Sequence, residues 1–386
     1  MAGKWTIERR CRELNRVRNV REAGSVSLRQ FWEGAQGSFL ITGGTERSRA
    51  QALTERLFLG MERREPACVL TESGVLEDLL ISGIGDRTGV LQVSSETYRN
   101  YHFFYGWDPG DIVRFLVQAA SLTGCASPEM PVYIHGFIEI LRRSFVPSLA
   151  SLTALAAYDD GQIAQIGRQC GASPVSVDQV SHYAQAGVLF RMVLEETAAV
   201  FQPLTTRDCD TGCNLTALRL RSDGVYLINI RSRFPELMHA YFAIELQRML
   251  SRTYPPRLVL NEVPLTDADP LGKVFRTAAQ GTGETGASLR NVGMLPGETE
   301  SVFRTRLLLL DGGAADGELE AALRPLGTYT HYEPVPGTGG RFPFGFGMEW
   351  NLSPEPGRLR VRPSDTAGCS AVLCGGGEIV LARSLR

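Results

Sequence analysis

The chain has 386 residues, 43% of them hydrophobic and 21% charged, with a formal net charge of −2. These are globular values, with length enough for one large α/β domain carrying an insertion or for two ordinary domains. They exclude a polycation made to coat nucleic acid, and no stretch approaches the roughly 20 uninterrupted apolar residues of a membrane helix. The N-terminus is charged throughout and lacks the apolar centre of a secretory signal, so the reading is cytoplasmic.

Residues 1–36 form a basic lead-in, irregular or helical. Within residues 1–30, Lys4, Arg9, Arg10, Arg12, Arg16, Arg18, Arg21 and Arg29 stand against Glu8, Glu13 and Glu22. Such an arm touches phosphates or an acidic partner, or else is a solvated face. SFLIT (38–42) predicts a short buried strand ending at Gly43-Gly44. Leu53, Leu57 and Phe58 have helical spacing from 49 to 59, and Gly60 stops the helix. ACVLT (67–71) predicts a second parallel strand, Leu76, Leu79 and Leu80 a helix, and VLQVS (90–94) a third strand. This alternation argues for a parallel sheet with right-handed crossovers.

From Asp108 the character changes. Helical patterns run over 109–121, 131–145, 148–157, 159–170 and 176–201, with almost no strand signal. The division is therefore a basic lead-in (1–36), an α/β domain (37–107 and 206–386) and an all-helical subdomain inserted at 108–205. Strands return as LTALRL (215–220) and VYLINI (225–230) around a hairpin-like turn at Ser222-Asp223-Gly224. A helix over 235–250 and the strand RLVLNE (257–262) follow. Then come a glycine-rich loop (281–287), leucines at 307–310, a helix over 316–325 and a Pro/Gly-rich loop at 333–347. Strands at 371–373 and 378–382 flank Gly375-Gly376-Gly377.

The strand, glycine turn and helix at 38–60 have the layout of a phosphate-binding loop, G-x-x-x-x-G-K-[ST]. In such a loop, backbone N–H groups and the helix N-terminus hold phosphates. Its lysine neutralises the terminal phosphates and its hydroxyl ligates magnesium. Here the window is Gly43, Gly44, Thr45, Glu46, Arg47, Ser48, Arg49 and Ala50. Gly43 fits. Ser48 replaces the second glycine, Arg49 the lysine and Ala50 the hydroxyl. Arginine is longer and planar, so it is no equivalent of lysine, and alanine binds no metal. Glu46 and Arg47 add bulk and a negative charge where phosphates would lie.

RLVLNE is an apolar strand with a polar end. In P-loop ATPases such a strand ends in two acids, one holding magnesium through water and the next polarising the attacking water. Asn261 takes the first place without charge, and Glu262, a potential base, takes the second. Lys273 and Arg276 follow, as fingers toward a neighbouring subunit's nucleotide or as surface cations. His102, His135, His182, His239 and His331 show neither metal nor triad spacing. The cysteines Cys11, Cys68, Cys125, Cys170, Cys209, Cys213, Cys369 and Cys374 do not form a disulfide framework, and the close pair Cys209/Cys213 lacks two further zinc ligands. No metal site is expected.

The order of these segments resembles the soluble domain of type IV secretion and conjugation coupling proteins (TraG/TraD-like), within the FtsK/HerA-like P-loop ATPases. FLITGGTERSRA looks like that family's first nucleotide motif, and ACVLTESGVLEDLL its second-strand segment. There Thr71-Glu72-Ser73-Gly74 stands where an acid-lysine-glycine pattern is usual. VLQVSSETYRNYHFFYGWDP resembles the third strand and the lead into an inserted helical domain. RLVLNEVP looks like the second nucleotide motif, where the family has Asp-Glu. SLRNVGML falls where a glutamine-bearing sensor strand is expected, and the glutamine is absent. FRTRLLLLDGGAADGELEAALRPLGTYT and AVLCGGGEIVLARSLR resemble the closing segments.

The resemblance implies an α/β fold of the P-loop (RecA/HerA-like) type, mostly parallel, with an inserted helical subdomain that recognises partners or substrate. The family's N-terminal membrane helices are missing. Loss of the lysine, hydroxyl, metal acid and sensor together implies a catalytically degenerate pseudo-ATPase. It would serve as a scaffold or partner-binding component of a conjugative or secretion apparatus, beside an active homologue in one version, with DNA or a ring oligomer in others. ATP and magnesium are the cofactors the fold would hold, and the substitutions argue against both. The rivals are an active ATP-driven DNA or protein translocase, with Arg49 standing in for lysine and Glu262 as base, and a nucleotide sensor that binds without hydrolysis.

Overall fold

The runs FLITG, ACVLT, VYLIN and RLVLN fold as strands that are almost entirely buried. Near-continuous apolar sequence requires cover on both faces of a sheet. The computed structural model describes residues 4–35, 37–84, 90–93, 101–202, 214–215, 224–281, 284–297, 299–313, 316–336 and 350–386. In chain order they form α1 (Lys4–Asn15), β1 (Val20–Ala23), α2 (Leu28–Gly34), β2 (Phe39–Gly43), α3 (Glu46–Glu62), β3 (Ala67–Thr71), α4 (Gly74–Ile84) and β4 (Val90–Val93). Six helices follow: α5 (Pro109–Leu122), α6 (Met130–Ser144), α7 (Leu149–Ala156), α8 (Asp160–Gln169), α9 (Pro174–His182) and α10 (Ala184–Phe201). Next come β5 (Val225–Asn229), α11 (Pro235–Leu250), β6 (Arg257–Asn261), α12 (Pro270–Gln280), β7 (Thr285–Leu289), β8 (Thr305–Leu309) and α13 (Asp316–Leu323). The chain closes with β9 (Thr328–Pro336), β10 (Trp350–Leu359), β11 (Ala371–Gly375) and β12 (Glu378–Ala382).

The chain divides into two compact units. One comprises Met1–Arg56, Ala287–Gly293 and Glu300–Arg386, and the other Leu57–Gly286 with Met294–Thr299. In the first, the strand order is β1-β12-β11-β8-β2. β2 pairs in parallel with β8, Gly43 opposite Leu309. β11 is antiparallel to both β8 and β12, and β1 returns parallel to β12. In the second unit the order is β6-β3-β5-β4, all parallel. Thr71 lies opposite Asn229 on one side and Asn261 on the other, so three polar residues line up at the carboxyl ends of β5, β3 and β6.

Several helices of the second unit start at side-chain caps or prolines. Ser148 and Asp159 each complete a capping box, accepting from the third backbone N–H of α7 and α8. Pro109, Pro174 and Pro235 open helices in the first turn, where a missing N–H costs nothing. Tyr241 of α11 lies among Tyr101, Phe103, Phe104, Trp107, Phe115 and Phe201, with the Trp107 ring stacked on it at 4.8 Å. One turn on, fully buried Glu245 accepts from the Tyr101 hydroxyl at 2.9 Å and from the Trp107 indole N–H. Arg248 then binds Asp108, Asp111 and the Gly106 carbonyl. These contacts fasten α11 to the segment leading into α5.

Several expectations need amendment. The single helix over 176–201 is two, α9 and α10, broken at Tyr183 (φ −107°, ψ 46°). The glycine-rich loop at 281–287 becomes β7 from Thr285 onward. The Pro/Gly-rich loop at 333–347 is strand as far as Pro336, paired antiparallel with β10. A two-stranded ribbon has only edge strands, so Pro334, Pro336, Pro354 and Pro356 remove no central ladder bond. The lead-in contains β1, and Lys4, Arg9, Arg18, Arg21 and Arg29 each sit in an ion pair, with Glu8, Glu13, Asp365, Glu378 and Glu33. The hairpin turn at 222–224, most of LTALRL, Cys209 and Cys213, and residues 337–347 fall wholly or largely outside the described residues. No helix among the described residues is long and apolar enough to cross a membrane.

Glu245 gives a direct test of the α11 attachment. Glu245→Ala strips the acceptor from two buried donors and should cost on the order of 3 kcal/mol in urea unfolding. Glu245→Gln, which keeps one acceptor, should recover part of that loss.

Candidate functional site

The glycine turn after β2 is set by backbone crowding. Gly43 and Gly44 both have positive φ (74° and 61°). A β-carbon on Gly43 would lie 2.3 Å from the Leu309 carbonyl oxygen. On Gly44 it would lie 2.3 Å from an Asp311 carboxylate oxygen and 2.8 Å from the Ser48 hydroxyl. Gly312 meets the same turn from the other side, where a β-carbon would come 2.7 Å from Gly44 backbone atoms. Two turns are thus in backbone contact, and only glycine permits it.

Thr45 caps α3. Its hydroxyl accepts from the Ser48 N–H at 3.2 Å, and its carbonyl accepts from the Arg49 N–H at 3.1 Å. Glu46 and Arg47 are exposed on the first turn, where an acid is favoured by the helix dipole. The Ser48 hydroxyl lies within donating distance of both the Thr45 carbonyl (2.9 Å) and Asp311 Oδ1 (3.1 Å), and the Thr45 hydroxyl lies 3.0 Å from Ser48 Oγ and 3.5 Å from Asp311 Oδ2.

Arg49 is 3% exposed. Its Nη1 donates to the carbonyls of Gly43 and Gly44, each at 2.8 Å. Its charge is therefore directed at the loop's own backbone. Ala50 is buried and offers no oxygen.

Asn261, in the second unit, is buried at the end of β6. Its Nδ2 donates to Thr71 Oγ1 at 2.9 Å, and Thr71 in turn accepts from the Ser73 N–H at 3.0 Å. Asn261 Oδ1 is buried with no hydrogen-bond donor among the described residues. Glu262, half-buried, holds a left-handed backbone (φ 56°). For a residue with a β-carbon this costs about 1–2 kcal/mol and is typical of functional positions. Arg276 pairs with Asp267 of its own unit, which also accepts from the Gly297 N–H. Lys273 is exposed and lines a cavity of about 700 Å³ with Tyr254, Pro255 and Pro256. That cavity includes neither the Gly43 turn nor Asn261.

His239 on α11 carried no recognisable spacing, yet it lies between two carboxylates. It is 3% exposed, with Nδ1 2.5 Å from Asp269 Oδ2 and Nε2 3.4 Å from Glu72 Oε1. Burial pushes its pKa down, but the two carboxylates outweigh burial and lift it to about 9. Asp269 also caps α12 through the Leu271 N–H at 2.8 Å. Glu72 precedes α4, and its N–H donates to the Asn261 carbonyl at 3.2 Å. No signal in the linear sequence joins residues so far apart. Among the described residues, no group of three or more His, Cys, Asp and Glu is placed to hold a metal.

No family model and no curated protein matches the sequence. Solved structures do. The bacterial conjugative coupling protein TrwBdeltaN70 in its unbound monoclinic form is 15% identical over 91% of this chain and 85% of that one, with a TM-score of 0.51. Its trigonal form in complex with sulphate is 15% identical over 96% and 91%, with a TM-score of 0.54. The fold is that of a conjugative coupling protein. VirB4 of Thermoanaerobacter pseudethanolicus also aligns, at 10% identity over 76% of this chain and 83% of that one, with a TM-score of 0.48. The expected α/β class of P-loop type, with a mostly parallel sheet and helices, is therefore correct.

β6 pairs with β3, and Glu72, just after β3, joins Asp269 around His239. Its electrostatics have a pH signature. His239 binds its proton more tightly folded (about 9) than at its ordinary value of 6.5. Its stabilisation is complete below about 6.5 and is lost as pH rises through 9. The loss should be on the order of 3 kcal/mol in urea unfolding measured from neutral pH to about 10. His239→Gln should remove that part of the pH dependence.

Proposed function

We propose that this chain is a catalytically degenerate P-loop domain, a cytoplasmic pseudo-ATPase acting as a scaffold or partner-binding component of a conjugative or type IV secretion apparatus. The observation that carries this reading is the Arg49 guanidinium, buried on the Gly43 and Gly44 carbonyls where a phosphate-directed lysine would be needed. Ala50 supplies no metal oxygen, and Asn261 spends its amide N–H on Thr71. The likeness to coupling proteins supports the setting through fold alone.

The helices of 108–205 are the proposed recognition subdomain, set into an α/β domain of 37–107 and 206–386 behind the basic lead-in. Phe145, Val146, Val175, Val188 and Met192 are large apolar side chains exposed within them, as a partner surface requires. An active homologue is one candidate neighbour, in a ring or otherwise.

One observation favours an active translocase instead. Glu262 keeps a costly left-handed backbone at the end of β6, which a discarded base has no need to hold. Calorimetric titration and a hydrolysis assay decide the matter. The native chain should show no heat with millimolar ATP, with or without magnesium, and no turnover in the presence of DNA. ATP hydrolysis that Glu262→Gln abolishes would establish the motor and end the pseudoenzyme reading. Binding without turnover would make the chain a sensor.

A further inference from the structure

The turn after β8 does something the substitutions in the loop do not explain. Asp311 lies 263 residues from Ser48, yet its two carboxylate oxygens face the Ser48 and Thr45 hydroxyls in the first turn of α3. A β-carbon on Gly44 would lie 2.3 Å from that carboxylate. Gly312, next in sequence, presses on the Gly44 backbone so closely that no side chain fits between them. β2 and β8 are hydrogen-bonded neighbours with Gly43 opposite Leu309, so the turn is delivered to this place by the sheet itself.

We propose that Asp311 is a built-in occupant of the phosphate loop, an autoinhibitory contact that holds it shut against anions. This rests on the reading of residues 43–50 as a derived phosphate loop and adds what closes it. A carboxylate is a natural ligand for a helix N-terminus. It faces the Ser48 and Thr45 hydroxyls and repels any phosphate approaching the same positions. A partner that draws the 310–313 turn away would uncover the loop. Arg49, on the same turn of α3, would then have an external anion to meet in place of two carbonyls.

The probe is inorganic pyrophosphate, titrated calorimetrically into the full chain at low salt. Asp311→Asn, nearly the same shape without the charge, should bind it at least tenfold more tightly than the native chain. Asp311→Glu should stay closed. Adding Arg49→Met to Asp311→Asn should cancel the gain, which places the anion at the loop. Equal binding by Asp311→Asn and the native chain overturns the proposal, as does a gain that survives Arg49→Met. If Asp311→Asn does not fold, Ser48→Ala takes its place, since it removes the hydroxyl nearest the carboxylate. A gain there supports the closure and no gain overturns it. ATP turnover by the native chain would instead sink the pseudoenzyme reading, so the two failures are distinct.

Discussion

Three glycines govern the end of the first unit where β2 passes into α3. Gly43, Gly44 and Gly312 let the β2–α3 turn and the turn after β8 approach to backbone contact, at separations that no β-carbon tolerates. Once the two turns meet, the positions of Thr45, Ser48, Arg49 and Asp311 follow. The hydroxyls face the carboxylate and the guanidinium folds onto the carbonyls. In a nucleotide-binding loop, glycines make room for phosphates. In this chain the glycines admit the turn after β8.

The second unit sets an uncharged row beside an internal ion pair. Asn229, Thr71 and Asn261 stand in register at the carboxyl ends of three parallel strands, the edge where open α/β sheets place ligands. No residue in that row is charged. The positive charge nearby belongs to His239, held by Glu72 and Asp269. A buried imidazolium between two carboxylates replaces solvation with direct pairing. It is costly to break because the buried imidazolium would be left without its partners.

Much of this was legible in one dimension. Strands β2, β3, β5 and β6 announced themselves as short apolar runs, and α11 by the Pro235 start and its periodicity. The glycine turn was visible as a flawed motif, and segment order gave the fold. What stayed hidden depends on pairing across long separations. Asp311 is an ordinary acid until β8 is placed beside β2, and His239 an ordinary helix residue until β3 and α12 bring their carboxylates to it. β9 and β10 were masked because proline is read as a strand breaker, which holds for central strands but not for a two-stranded ribbon. Arg49 was recognisable as a replacement, but only its rotamer could show where the charge had gone.

The pairing of β1 with β12 has a consequence for how the chain is made. Asn19 donates to the Gly377 carbonyl, 358 residues away, and the Val26 N–H reaches the Ser384 carbonyl. β1 therefore waits for a neighbour that lies far later in the sequence. Meanwhile β6, β3, β5 and β4, with the helices between them, can close on themselves, because they lie on one continuous inner stretch of chain. Vectorial folding thus assembles the interior of the sequence first and leaves β1 as an unsatisfied edge until β12 emerges. Contacts of such separation carry the largest loop-closure cost and form late. During that interval the half of the molecule bearing the Gly43 turn has no finished sheet to hold it, and the glycine loop takes shape only when β8, with Asp311 behind it, has also been delivered.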